Sequence, residues 1–83
     1  MLRTYVGLYE LAPGEELDVT LQNRALYIRS TSGGEAVRLR PESTTEFSVK
    51  DAAARVRFTR DRAGKVTGLV IHQFGRDRAA RKL

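Results

Sequence analysis

The chain has one histidine, His72, and no cysteine. Nucleophilic catalysis needs a hydroxyl or thiol, a base, and a group that orients the base. His72 stands beside Val70 and Ile71 near a strand end, and no G-x-S-x-G or S-x-x-K sequence supplies a nucleophile for it. It reads as a rim or surface histidine. The same shortage excludes a disulfide, a cysteine-based zinc site and a thiol nucleophile. Glu10, Glu15, Glu16 and Asp18 lack EF-hand spacing and read as solvated strand positions. The seven glycines form neither G-x-G-x-x-G nor a P-loop, so they read as turns and bulges. No catalytic residue, metal ligand or cofactor site is assigned, and the chain is expected not to be an enzyme.

The arginines carry more information. Arg29, Arg38 and Arg40 fall on one outward face with Tyr27, and Arg55 and Arg57 extend it. Such a face suits an anion or a nucleic acid, with Tyr27 as a stacking platform. It also suits a cross-strand charge ladder in which Asp18 pairs with Arg29 and Glu46 with Arg40. Aromatic interleaving is sparse, which favours the ladder. The basic end, Arg76 to Leu83, has the same ambiguity: a free nucleic-acid arm, a docking strand, or a closing strand whose charge Glu10, Glu15 and Glu16 offset. The closing strand is the favoured reading.

The elements that position these residues follow from alternation broken by turns every 8–12 residues, the pattern of an antiparallel all-β sandwich or barrel. Strands are predicted at Tyr5–Leu11, Glu16–Gln22, Ala25–Thr31, Glu35–Arg40, Thr45–Val49, Arg55–Arg60 and Val66–Gln73, with a weaker eighth over Asp77–Leu83. Turns fall at Pro13-Gly14, Asn23-Arg24, Gly33-Gly34, Pro41-Glu42-Ser43, Asp51-Ala52-Ala53 and Asp61–Gly64. Arg24 is a poor second residue for a type I′ turn, so strain or a longer loop is expected there.

The turns predict register. A two-residue loop at Asn23-Arg24 sets Leu21 against Leu26, Val19 against Ile28, Thr20 against Tyr27 and Asp18 against Arg29. A two-residue loop at Gly33-Gly34 sets Ile28 against Leu39, Arg29 against Arg38 and Tyr27 against Arg40. A loop at residues 42–44 sets Leu39 against Phe47 and Arg40 against Glu46. All three keep apolar with apolar, and a one-residue slip would invert every face. The inner face is then Leu17, Val19, Leu21, Leu26, Ile28, Val37, Leu39, Phe47, Val49, Val56 and Phe58. Either Tyr5 and Tyr9 or Val6 and Leu8 complete it. In the seventh strand Val66 fits one parity and Leu69 and Ile71 the other, so Gly68 marks a bulge. Gly7 lets the first strand bend.

About eight short strands close a small antiparallel up-and-down barrel whose side chains fill its interior, leaving no lipocalin-sized cavity. Eighty-three residues make one domain, 1–83, with a thin stability margin. Residues 1–53 carry a formal charge of −2 and residues 54–83 one of +7. No apolar run approaches the roughly 18 residues of a membrane span. The first residues show no signal-peptide core, which fits a cytoplasmic chain or one cut from a longer protein.

Several sequences, in order, resemble a known family: Leu2-x-x-Tyr5-Val6-Gly7-x-Tyr9-Glu10-Leu11, Leu17-x-Val19-x-Leu21, Leu26-Tyr27-Ile28, Phe58-Thr59-Arg60-Asp61, Gly64-Lys65-Val66-Thr67-Gly68-Leu69 and Ile71-His72-Gln73-x-Gly75-Arg76. Together they resemble the uncharacterised domain found at the C-termini of bacterial β-lactamase-like serine hydrolases and related peptidases. The resemblance implies a lipocalin-like accessory barrel tethered to or neighbouring a hydrolase or peptidase domain, and a periplasmic or secreted parent protein. None of the hydrolase motifs maps onto this chain. The expected function is a non-catalytic interaction domain that packs on such a partner or shapes its substrate entrance. Two rivals remain: a nucleic-acid- or anion-binding barrel using Tyr27, Arg29, Arg38, Arg40 and the basic end, and a homo-oligomer formed if the eighth strand fails to close the barrel.

Overall fold

The computed structural model describes residues 2–49 and 53–83. After a short 3-10 turn at Leu2–Tyr5 come β1 (Gly7–Ala12), β2 (Glu15–Gln22), β3 (Ala25–Ser30), β4 (Val37–Pro41), β5 (Glu46–Val49), β6 (Ala54–Arg60), β7 (Val66–Gln73) and β8 (Arg76–Lys82). Each strand pairs antiparallel with its neighbour in sequence, and β8 returns to β1. The result is a closed up-and-down barrel, as the alternation predicts. The expected turn at Asp51-Ala52-Ala53 has its first two residues outside the described ones.

The first predicted strand needs correcting. Tyr5 is not in β1 but ends the 3-10 turn, where the Val6 amide donates to the Arg3 carbonyl at 3.3 Å. The chain then swings into β1 at Gly7, whose φ of 151° suits a residue without a side chain. A Cβ there would also press on Lys82 Cε at 2.9 Å. This bend settles the parity of β1. Tyr5 and Tyr9 are buried, and Val6 and Leu8 are 37% and 40% exposed.

The Asn23-Arg24 turn has the predicted two residues, at φ 50° and 66°, and the β2–β3 register follows as expected. Arg24 is held left-handed, so this is strain and not a longer loop. The next two registers are each displaced by two residues. Leu26 faces Leu39, Tyr27 faces Arg38 and Ile28 faces Val37. The Gly33-Gly34 loop is wider than two residues because the chain turns directly after β3, with the Gly33 amide donating to the Ser30 carbonyl at 3.3 Å. Ser30 Oγ meets Ser32 Oγ at 2.8 Å, and the Thr31 amide donates to the Glu16 carbonyl at 3.0 Å. Leu39 faces Val49, and Arg40 faces Ser48 in place of Glu46. Here the loop has moved one residue along, since the Glu42 amide donates to the Glu46 carbonyl at 2.8 Å. A two-residue displacement preserves side-chain parity, so the core survives both errors. Val37, though on the inward parity, lies at the rim and is 36% exposed; Leu21 and Val49 are only partly buried.

In β7, Gly68 pairs with Thr59 and Val66 with Arg60, leaving Thr67 as the extra residue of a bulge. The bulge turns both Val66 and Leu69 inward. Gly68 itself leaves no room: a Cβ there would overlap the Ala80 carbonyl oxygen of β8. β8, the basic end, closes the barrel with Ala80 as its inward residue.

The core concentrates at the end where the 3-10 turn enters. Tyr5 stacks on Phe58 with centroids 4.2 Å apart, and Phe47 meets both edge-on at 5.8 and 5.5 Å. The Tyr9 hydroxyl donates to the Tyr5 carbonyl at 2.7 Å. The Tyr5 hydroxyl donates to the Thr44 carbonyl and accepts from Arg60 Nη2. Tyr5 thus plugs one end of the barrel, with its polar atom satisfied at the rim.

Two outcomes follow. Gly68→Ala should cost about 2–3 kcal/mol, because the added methyl must push β8 away from β7; urea denaturation checks it. Burial, and after it the neighbouring Tyr5 hydroxyl, raise the Tyr9 phenol well above its ordinary 10.0. The folded state therefore resists ionising Tyr9. Its contribution is full below about pH 10, where the unfolded chain also keeps the proton, and is lost as pH rises beyond that. Tyr9→Phe should lower stability at pH 8 by about 1 kcal/mol and remove part of the alkaline loss, read as denaturation midpoints from pH 8 to 12.

Candidate functional site

The structure separates the sequence-predicted residues into groups. Tyr27 lies on the outer wall between Thr20 and Arg38, and not against Arg40. Arg29 is drawn to Asp18, 3.9 Å away, so half of the expected charge ladder forms. The other half does not, because Arg40 stands beside Ser48, while Glu46 is in register with Arg57. Arg55, the neighbour of Ser48 on β6, continues the face beyond Arg40, as expected. The basic end is partly neutralised. Arg81 donates to Glu10 Oε1 through Nε and Nη2 at 3.1 and 3.0 Å, and Arg78 to Glu15 Oε2 at 3.1 Å. Glu16 takes no part in an ion pair among the described residues.

His72 lies on the outer wall of β7, with Arg55 across from it on β6 and Asp77 on β8. Its Nδ1 is bonded to Asp77 Oδ1. A His–Asp pair invites comparison with a hydrolytic triad, but the hydroxyl in line, Ser48, is two strands away with Arg55 between. At about 4.8 Å per strand the separation is roughly 10 Å, too far for proton transfer. Among the described residues no group of three or more His, Asp or Glu could hold a metal ion, and no helix is long and apolar enough to cross a membrane.

The two ends of the barrel differ. The plug end is filled. At the other end the inward side chains of Leu17, Ile28, Val37, Val49, Val56 and Ile71 line a shallow open mouth of about 320 Å³. The filling expected from the sequence therefore stops short of this rim. The mouth sits at the foot of the size range of ligand pockets and is open to solvent.

Beside it stands the residue that sequence reasoning missed. Phe74 tips the β7–β8 hairpin, is 84% exposed, and has a φ of 54°. A type I′ turn favours Asn, Asp or Gly at that position. An aromatic there bears left-handed strain and exposes its ring to water together. The signal was in the sequence as Gln73-Phe74-Gly75-Arg76, a two-residue turn whose first residue has the wrong chemistry for a turn.

No curated protein and no solved structure matches the chain. The family model described as Domain of unknown function (DUF3471) matches residues 1–82, and the chain belongs to that family.

Proposed function

We propose that this barrel is a non-catalytic accessory domain, of the kind that its sequence resembles beside β-lactamase-like serine hydrolases and peptidases, and that it packs on such a catalytic domain through its open end. The observation that carries the reading is Phe74. Backbone strain and an exposed ring each cost stability, and both persist where a contact outside the domain uses them. The apolar mouth beside it offers a matching recess for a side chain of the partner. A position near the partner's substrate entrance would let the neighbouring loops, including the connection over residues 31–36, touch substrate.

The rivals lose support. A nucleic-acid surface built on Tyr27, Arg29, Arg38, Arg40 and the basic end would compete with Asp18, Glu15 and Glu10 for Arg29, Arg78 and Arg81, which leaves Arg38 and Arg40 as its cations on the outer face without an ion pair among the described residues. Oligomerisation through open strand edges needs an eighth strand that fails to close, and β8 pairs with β1.

The reading predicts that the reading frame containing this segment also encodes a serine hydrolase or peptidase domain. Phe74→Asn should stabilise the isolated 83-residue domain by about 0.5–1 kcal/mol, since Asn accepts the left-handed turn. In the full-length protein the same change should loosen the domain contact, read as separation of two calorimetric transitions that melt together in the wild type. A frame with no hydrolase, or a contact indifferent to residue 74, would refute the proposal.

A further inference from the structure

The outer wall of β5–β8 carries a second concavity, of about 200 Å³, apart from the open mouth. Arg55, Arg57, His72, Asp77 and Glu46 wall it, with Val70 opposite Arg57. Arg29, Arg78 and Arg81 each meet a carboxylate. Arg55 and Arg57 form no ion pair among the described residues, although Glu46 is in register with Arg57. Asp77 is engaged by His72. Two like charges, two residues apart on one strand face, thus border the recess without an ion pair among the described residues, and Glu46 and Asp77 share its lining.

We propose that this recess binds a phosphate group, free or carried by a small molecule. The two guanidinium groups start about 7 Å apart along β6 and can converge on one ligand. A carboxylate satisfies one guanidinium fork, whereas a tetrahedral phosphate has oxygens enough for both. Glu46 formally offsets one of the two arginines and Asp77 is bonded to His72, so a phosphate is recognised here by its acceptor oxygens, which can serve both guanidinium groups at once. The Asp77 contact fixes the imidazole through Nδ1 and leaves Nε2 as its remaining polar atom. The volume admits a phosphate and a few more heavy atoms, not a polymer. This site stands apart from the accessory role and from the open end.

The test is a ¹H–¹⁵N NMR titration of the domain, at constant ionic strength, with inorganic phosphate and separately with phenyl phosphate. Saturable shifts centred on residues 55–57, 70–72 and 77 are expected, and the tighter of the two probes tells free anion from ester. The double variant Arg55→Gln/Arg57→Gln should weaken binding about tenfold or more, and Arg29→Gln, whose arginine is already paired, by less than about twofold. Both variants change exposed side chains, and their amide spectra report whether the fold is intact. Absence of saturable shifts, equal weakening by Arg29→Gln, or binding of a ten-residue oligothymidylate without binding of either small phosphate would overturn the site in favour of a diffuse basic surface.

Discussion

Tyr5 stacks on Phe58 inside the barrel, and the rest of the structure depends on that contact. The 3-10 turn that delivers Tyr5 closes one end, and the Tyr9 hydroxyl holds the turn by its carbonyl. An 83-residue chain without a cysteine to form a disulfide has little else to stabilise it. Four aromatic rings packed at one end supply a large share of the buried apolar surface. The polar atoms they carry inward find partners, so the plug adds no unsatisfied group among the described residues.

Closure follows from the same end. Few residues pair directly between β1 and β8: Tyr9 with Lys82 and Glu10 with Arg81. The seam is reinforced from both sides. The Leu83 amide donates to the Leu8 carbonyl at 2.9 Å, Lys82 Nζ to the Thr4 carbonyl at 3.2 Å, and Arg81 to Glu10. The charge asymmetry between the two parts of the chain is thus partly resolved inside the fold. Arg55 and Arg57 beside the outer recess, like Arg38 and Arg40 on the neighbouring wall, form no ion pair among the described residues, and Phe74 stands exposed at the open rim.

Alternation and turn chemistry made the eight strands legible, because each side-chain face is fixed by parity and parity survives a two-residue slip. Gly68 announced its bulge by the conflict between Val66 and Leu69. Register across the wide connection over residues 31–36 was not legible, since loop length there depends on the turn from Ser30 to Gly33 and the Ser30–Ser32 hydroxyl contact, which no local pattern encodes. The 3-10 turn was hidden because Tyr5 continues the apolar alternation of β1. The site was less readable still. Tyr27, Arg29, Arg38 and Arg40 stood out by type, but the register displacement changed their neighbours and Asp18 took Arg29. Phe74 falls between the seventh and eighth predicted strands, where no turn is assigned, and its cost is evident only once the hairpin geometry is known.

Amide hydrogen exchange at the β1–β8 seam tests the closed, plugged barrel most directly. If closure and the Tyr5 plug form one cooperative unit, the Glu10, Arg81 and Leu83 amides, which face across the seam, should exchange as slowly as those of β6 and β7, through global unfolding alone. Seam amides that exchange orders of magnitude faster, while β2 to β7 stay protected, would mean an open sheet with a frayed end and would contradict the account.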